Sequence, residues 1–279
     1  MSQPDPDDCF EDLTGPIDIP QGVTTSGFGT INCPLGQHYD VLQNRCVLDA
    51  GSKATTVNGI KIPSLPYDSY TLDPINYTVE SKHKANGSFR ENFLRQTKDL
   101  NSVVVGGYVK CDGPDDEEIS GKVGGGMHTS SDGGKGGRCY EINISLDGNN
   151  VNILKEDPHS VYNETMIVNA LNLGPRQGHY TGVIFMKANI KFNGDDCVRL
   201  KAWVDVGGMN DFGTFASTKQ YWVQVLDAID AGLWHDKPWL TGAIPGNSIA
   251  TIRVDQQEEA SYDFKFGFCA RINGGPASY

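Results

Sequence analysis

The sequence predicts an all-β chain, with two antiparallel sheets packed face to face as a jelly-roll sandwich behind a small disulfide-stapled N-terminal segment. Three observations carry this. From about Gly87 onward, runs rich in Val, Ile, Tyr and Phe follow one another with Gly, Asn and Asp between them, among them SVVVGGYVK, CYEINISL, HYTGVIFMKANIKF, CVRLKAWVDV, ATIRVD and YDFKFGFCARI. Most alternate apolar and polar residues with period two, as strands do when one face meets a core and the other meets water. Only VYNETMIVNALNL and VLDAIDAGLW carry a pattern that a short helix could use.

The chain of 279 residues has a formal net charge of -12. That balance excludes a nucleic-acid partner, because phosphate binding needs basic surface. No apolar run approaches the roughly 20 residues of a membrane-spanning helix, so membrane insertion is not expected. The N-terminus, MSQPDPDDCFEDL, is acidic and has no apolar core of a secretory signal.

In chain order, residues 1–28 are rich in Asp, Pro, Gly and Thr and read as an acidic tail. Residues 29–50 form a small module, CPLGQHYDVLQNRCVL, in which Cys33 and Cys46 would close a loop worth on the order of 3 kcal/mol. The Cys-Pro-x-Gly-x-x-aromatic-Asp…Cys run resembles short modules of microbial surface proteins and one half of a chitin-binding module. Residues 51–86, with Pro63, Pro66 and Pro74, read as a linker or extended segment, and residues 87–279 as the sandwich.

Alternation assigns faces. In CVRLKAWVDV, Val198, Leu200, Ala202, Val204 and Val206 oppose Arg199, Lys201, Trp203 and Asp205. In YDFKFGFCARI, Tyr262, Phe264, Phe266 and Phe268 oppose Asp263, Lys265, Cys269 and Arg271. In ATIRVD, Ile252 and Val254 oppose Arg253 and Asp255. Cys139, Cys197 and Cys269 thereby fall on polar faces, where cross-strand disulfides are expected. The proposed pairs are Cys111–Cys139 and Cys197–Cys269, one connectivity among several, with Cys9 left odd. These pairs, with the sequons at Asn76, Asn86, Asn143 and Asn163, point to an extracellular or cell-surface glycoprotein.

The glycine-rich stretch VGGGMHTSSDGGKGGRCYEINISL reads as a hairpin whose loop admits a ligand. His128 sits at one lip, and Arg138 and Tyr140 at the other. Gly124, Gly126 and His128 share one side of their strand, and Met127 points to the core. A concave polar face carrying Trp203, Trp222, Arg199, Lys201 and Arg253 would bind a polysaccharide, since aromatic faces stack on sugar rings and cations hold uronate or sulfate groups. Calcium is the one candidate cofactor. Asp112, Asp115, Asp116, Glu117 and Glu118 cluster in CDGPDDEEIS, and Asp195 and Asp196 in NGDDC, though a solvated acidic turn explains both and no motif fixes a metal set.

The strands SFRENFLR, GGGMH, CYEINISLDG, HYTGVIFMKANI and RLKAWVDVGG, with the closing pair ATIRVDQ…YDFKFGFCARI, resemble the concanavalin A-like jelly rolls. Within these they are similar to the alginate- and glucuronan-type polysaccharide lyases and to uncharacterised microbial surface proteins. The resemblance covers about two thirds of the chain. It implies β-elimination from a uronate: a polar group neutralises the carboxylate, a histidine or tyrosine removes the proton beside it, and a tyrosine protonates the leaving oxygen. On these positions His128, Tyr180, Arg138 and Asn92 would be the catalytic set. Arg90, Asn92 and Leu94 stand where the family carries Arg, Glu and Arg, and Gly126 stands where it carries Gln. Three functions follow as expectations: a carbohydrate-binding surface protein, a uronate lyase, or a structural component of an appendage or virion that self-assembles through a terminal strand.

Overall fold

The computed structural model describes residues 37–40, 45–48, 55–57, 60–62, 71–75, 83–85, 88–96, 102–113, 118–123, 139–156, 162–169, 173–192, 195–215, 220, 222–230, 250–256 and 261–273. Among them there is no helix, and every strand pairing is antiparallel. Two short hairpins come first, β1 (Gln37–Asp40) with β2 (Arg45–Leu48) and β3 (Thr55–Val57) with β4 (Ile60–Ile62). The sandwich strands follow: β5 (Thr71–Pro74), β6 (His83–Ala85), β7 (Ser88–Gln96), β8 (Val103–Cys111), β9 (Glu118–Val123), β10 (Cys139–Ser145) and β11 (Asn150–Glu156). The chain continues with β12 (Tyr162–Asn169), β13 (Thr181–Phe192), β14 (Asp195–Asp205), β15 (Val223–Asp230), β16 (Ala250–Gln256) and β17 (Tyr262–Asn273).

One sheet has seven strands in the order β12-β11-β10-β9-β16-β7-β6, and the other has six, β15-β14-β13-β8-β17-β5. The all-β antiparallel sandwich expected from alternation is therefore the observed fold. The two segments expected to carry helix are the strands β12 and β15 instead. Each has a neighbour strand already in place, β11 and β14, and ladder pairing overrides a weak local preference. The segment before Gly87 also supplies strands, since β5 pairs with β17 and β6 with β7.

The core between the sheets joins Val103, Val105, Phe185, Leu200 and Ala202 of the six-stranded sheet to Ile119, Ile142, Ile153, Ile252 and Val254 of the seven-stranded one. Gly121 is a requirement of that packing. A Cβ there would lie 2.2 Å from Phe185 Cδ2, so the glycine makes the hole that the ring fills.

A second core lies on the outer face of the six-stranded sheet. It contains Val104, Tyr108, Tyr180, Ile184, Met186, Cys197, Trp203, Trp222, Phe268, Ala270 and Ile272, and it is closed by Ile60 and Ile62 of β4 and by Met209. The six-stranded sheet is thus buried on both faces. That overturns the expected placement of Cys197 and Cys269 on wet faces. Cys139, on β10 of the seven-stranded sheet, is buried as well, at 5% exposure.

Among the described residues no disulfide forms, and Cys111, Cys139, Cys197 and Cys269 are buried thiols. The pair Cys197–Cys269 is excluded by topology. Strands β14 and β17 are separated by β13 and β8, about 14 Å at the usual strand spacing, and a disulfide tolerates less than about 7 Å between Cα atoms. The two residues also belong to different cores. The Cys111–Cys139 pair fails too. These residues lie in opposite sheets, and Cys111 Sγ accepts the Gly113 N–H at 3.3 Å. Burial pushes the Cys269 thiol up to about 12, which leaves it unreactive. Cys9 and Cys33 lie outside the described residues, so the Cys33–Cys46 staple does as well.

The face assignment of β17 changes at a bulge. The register against β8 shifts between Lys265 and Phe268, and Phe266 has a φ of 56°. Before the bulge Tyr262 and Phe264 pack against the inner core. After it Cys269 is in that core, and Phe268, Ala270 and Ile272 are in the outer one.

Candidate functional site

The residues expected to form a sugar-binding face do not share one. Trp203, Arg199 and Lys201 belong to β14 of the six-stranded sheet, on its buried outer face, and Trp222, just before β15, packs in the same outer core; their exposures are 3%, 2%, 1% and 6%. Arg253 is in the opposite sheet. The expected wet concave face is corrected accordingly: the second core fills it. Arg199 makes a two-pronged pair with Asp227, Nε to Oδ1 at 2.7 Å and the terminal nitrogen to Oδ2 at 2.7 Å. Lys201 Nζ lies 3.0 Å from Asp227 Oδ2 and donates to Gln224 Oε1 at 3.1 Å. Burial alone would raise the Asp227 carboxyl, but Arg199 and Lys201 outweigh it and hold the group below the ordinary carboxylate range. These two cations are satisfied inside the protein by a carboxylate on a later strand.

Tyr180 and Tyr108 belong to the same outer core. Tyr180 donates to Asp263 Oδ2, and the Lys265 and Lys110 ammonium groups stand 5.7 and 5.9 Å from its ring centre. Tyr108 donates to Asp205 Oδ2 at 2.9 Å, while Asp205 Oδ1 accepts the Gly207 and Gly208 N–H groups at 3.1 and 2.8 Å. Burial first, then the neighbouring carboxylate, raises both phenols well above the ordinary tyrosine value.

Of the expected catalytic set, Tyr180 and the backbone of Asn92 are described. Tyr180 lies on the six-stranded side, whereas Asn92 is on β7 of the seven-stranded sheet, in register with Arg253. Tyr140, expected at the lip of a groove, is 0% exposed and points into the core between the sheets. His128 and Arg138 lie outside the described residues, as do Gly124, Gly126 and Met127. The base of the expected hairpin is present, with Val123 paired to Tyr140 across β9 and β10. On β7 the register shifts, so Leu94 stands opposite Ile252, a core residue, while Asn92 and Arg90 stand opposite Arg253 and Asp255.

What the structure does assemble is a polar layer on the outer face of the seven-stranded sheet. One row crosses four strands in register: Asn152 of β11, Asn143 of β10, Ser120 of β9 and Arg253 of β16. A flanking row runs Glu141, Lys122, Thr251, and another runs Ser145, Glu118, Asp255. Three strand spacings give the central row a length of about 14 Å. Glu141 binds two cations, Lys122 Nζ at 3.0 Å and an Arg253 terminal nitrogen at 2.9 Å. Asn152 Nδ2 donates to Glu118 Oε1 at 3.2 Å. Asn143 Oδ1 and Asn152 Oδ1 are buried acceptors that receive no hydrogen bond among the described residues. An unmet buried acceptor costs about 1–3 kcal/mol, so two side by side mark a place where a donor is wanted. Asn143 is only 3% exposed within β10, which makes its sequon a poor glycan acceptor.

Ser120, Lys122, Glu141, Asn152 and Thr251 were not among the residues expected from the sequence, and Asn143 was expected only as a glycosylation sequon. The signal was present in the alternation of Glu141, Asn143 and Ser145 through CYEINIS and of Thr251, Arg253 and Asp255 through ATIRVD. No three His, Cys, Asp or Glu side chains gather to hold a metal among the described residues. Of the two acidic stretches, Asp115, Asp116 and Glu117 lie outside the described residues. Asp112 accepts from Ser261, Glu118 accepts from Asn152, and Asp196 pairs with Lys191 at 2.7 Å; the side chain of Asp195 is outside the described set.

No family model matches the chain, and no curated protein matches it. Among solved structures the chain is similar to a carbohydrate-binding module, CBM66, from Bacillus subtilis, at 7% identity over 71% of this chain and 97% of that one, with a TM-score of 0.28. It is also similar to arcelin-5, a lectin-like defense protein from Phaseolus vulgaris, at 9% identity, 75% and 94% coverage and a TM-score of 0.34. A third is the alginate lyase Aly36B, at 12% identity, 66% and 88% coverage and a TM-score of 0.24. With TM-scores this low, none of the three bears on the site.

Proposed function

We propose that the chain binds a polysaccharide, and that it does so on the outer face of the seven-stranded sheet rather than on the tryptophan-bearing face of the other. The observation that carries this is the pair of unmet acceptors, Asn143 Oδ1 and Asn152 Oδ1, in a row of four hydrogen-bonding residues about 14 Å long. Sugar hydroxyls are donors and acceptors at short, regular spacing. A saccharide laid across the strands would supply the donors that both amides lack. Ser120 is 2% and Arg253 8% exposed, so binding requires the row to become accessible. The preference for an acidic polymer rests on Arg253 and Lys122 turning from Glu141 to a uronate or sulfate group.

Catalysis is not part of this reading: Tyr180 packs in the outer core on the six-stranded side, and Asn92 is on β7 of the seven-stranded sheet. The test is a broad glycan array followed by calorimetry, comparing uronate, sulfated and neutral polymers. Asn143→Ala with Thr251→Ala should abolish the binding seen with the parent chain. Binding to no glycan, together with concentration-dependent assembly in sedimentation, would replace this reading with that of a structural component.

A further inference from the structure

Lys155 and Asp230 meet across the gap between the sheets. Lys155 is on β11 of the seven-stranded sheet, and Asp230 ends β15 of the six-stranded one. Lys155 Nζ stands 2.5 Å from Asp230 Oδ2, and both side chains are 0% exposed. Tyr140, the cross-strand partner of Lys155, is also 0% exposed and donates its hydroxyl to the same Oδ2 at 2.6 Å. Its ring centre is 5.8 Å from the Lys155 nitrogen. Two core valines are their cross-strand neighbours, Val123 opposite Tyr140 and Val198 opposite Asp230. An amine nucleophile, a carboxyl carbon and a proton donor are thus held together in a site shut off from bulk water.

We propose that Lys155 and Asp230 condense into an intramolecular isopeptide bond that ties the two sheets, with Tyr140 as the catalytic proton relay. The ammonium proton passes to the carboxylate across the short contact and leaves an amine and a carboxylic acid. The nitrogen lone pair then attacks the Asp230 carboxyl carbon, a C–N bond forms, and the carbonyl electron pair moves onto oxygen. As the C–O bond breaks, Tyr140 gives its proton to the departing hydroxyl, and the phenolate regains a proton from the nitrogen. Ammonium and carboxylate become one secondary amide and one water, with no change of oxidation state and no co-reactant. The reaction removes two charges from an apolar interior, and the same dryness opposes hydrolysis of the product. Proximity supplies the rest, since the fold holds the reacting groups as an intramolecular pair.

Intact-mass measurement of the full chain, with a tryptic peptide map, tests this independently of any glycan, because these groups lie on the inner side of the sheet. The expected result is a chain lighter than its sequence by one water. The peptide bearing Lys155 should be joined to the peptide bearing Asp230, with no tryptic cut after Lys155. A chain of unmodified mass, cleaved after Lys155, overturns the proposal. Lys155→Arg and Asp230→Ala should each restore the full sequence mass; a water still missing from Asp230→Ala means that another carboxyl reacts and overturns the assignment. Should those variants fail to fold, the peptide map of the unaltered chain decides alone. Tyr140→Phe keeps the ring and should lower the condensed fraction, and an undiminished fraction removes Tyr140 from the mechanism.

Discussion

The two outer faces of the sandwich differ in what they do with their polar residues. On the six-stranded sheet, Arg199 and Lys201 are locked to Asp227 beneath an apolar layer of Trp203, Trp222 and Met209. On the seven-stranded sheet, residues of the same chemical kinds form rows, and there two amide oxygens are left without donors. The first face has its hydrogen-bonding capacity met from within and is structural. The second has acceptors left over, which a ligand's donors can meet.

The largest test of that contrast is Trp203→Ala. Removing a large buried ring should cost about 3–5 kcal/mol of stability, read by denaturant unfolding, while glycan affinity of the folded fraction stays unchanged. Loss of affinity without loss of stability would move the site to this face. Asp227→Asn should cost about 3 kcal/mol, because two cations are left buried beside a neutral amide. In the parent chain the Asp227 carboxyl is lowered in the folded state. Its contribution to stability is therefore present above the unfolded value of about 3.9 and disappears as pH falls through the lower folded value. Unfolding measured from pH 5 downward should show that loss, and the Asn variant should have a shallower slope.

Much of the fold was legible because strand alternation is local. In CVRLKAWVDV, Val198, Leu200, Ala202 and Val204 do face the inner core, as their spacing requires. What alternation does not reveal is what lies above the opposite face. Arg199 and Lys201 find their carboxylate on β15, a strand away in space and more than twenty residues on in sequence. Ile60 and Ile62 cover the face from a hairpin that read as linker. The bulge at Phe266 exchanged the two faces of β17 midway and carried Cys269 from the expected wet side into the core. The polar rows escaped notice for a related reason. Asn143, Ser120 and Arg253 become neighbours only through strand order, in which β9 lies beside β16 although 126 residues lie between Val123, the last of β9, and Ala250, the first of β16.

Smaller effects sharpen the comparison. Gly121→Ala sets a methyl carbon 2.2 Å from the Phe185 ring, so it should cost about 1–3 kcal/mol through overpacking and slightly displace the seven-stranded sheet that carries the rows. Asn143→Ala removes an acceptor that has no donor in the described structure. Stability should change by no more than about 1 kcal/mol, while affinity for the glycan falls about tenfold, equivalent to roughly 1.4 kcal/mol. An unchanged affinity would show that the unmet amide is not part of a ligand site.

The smallest expected effect is at Phe212, the one large apolar side chain that stands out from the described surface, at 88% exposure. It sits at the tip of a turn after β14. Asn210 Oδ1 accepts the Phe212 and Thr214 N–H groups at 3.1 and 3.2 Å, and Met209 bridges to Phe215 at the base. Phe215 packs edge-on against Tyr108 with ring centres 5.6 Å apart, so the turn is anchored to the second core, on the six-stranded side. An exposed aromatic is also the side chain best suited to stack on a sugar ring, which makes it the strongest rival to the polar rows. Phe212→Ser removes no buried contact and should change stability by less than about 0.5 kcal/mol. If the rows of the seven-stranded sheet hold the glycan, calorimetric affinity should be unchanged as well. A tenfold loss on this one substitution would place recognition at an aromatic tip on the opposite side of the sandwich, and the unmet amides of Asn143 and Asn152 would then need another explanation.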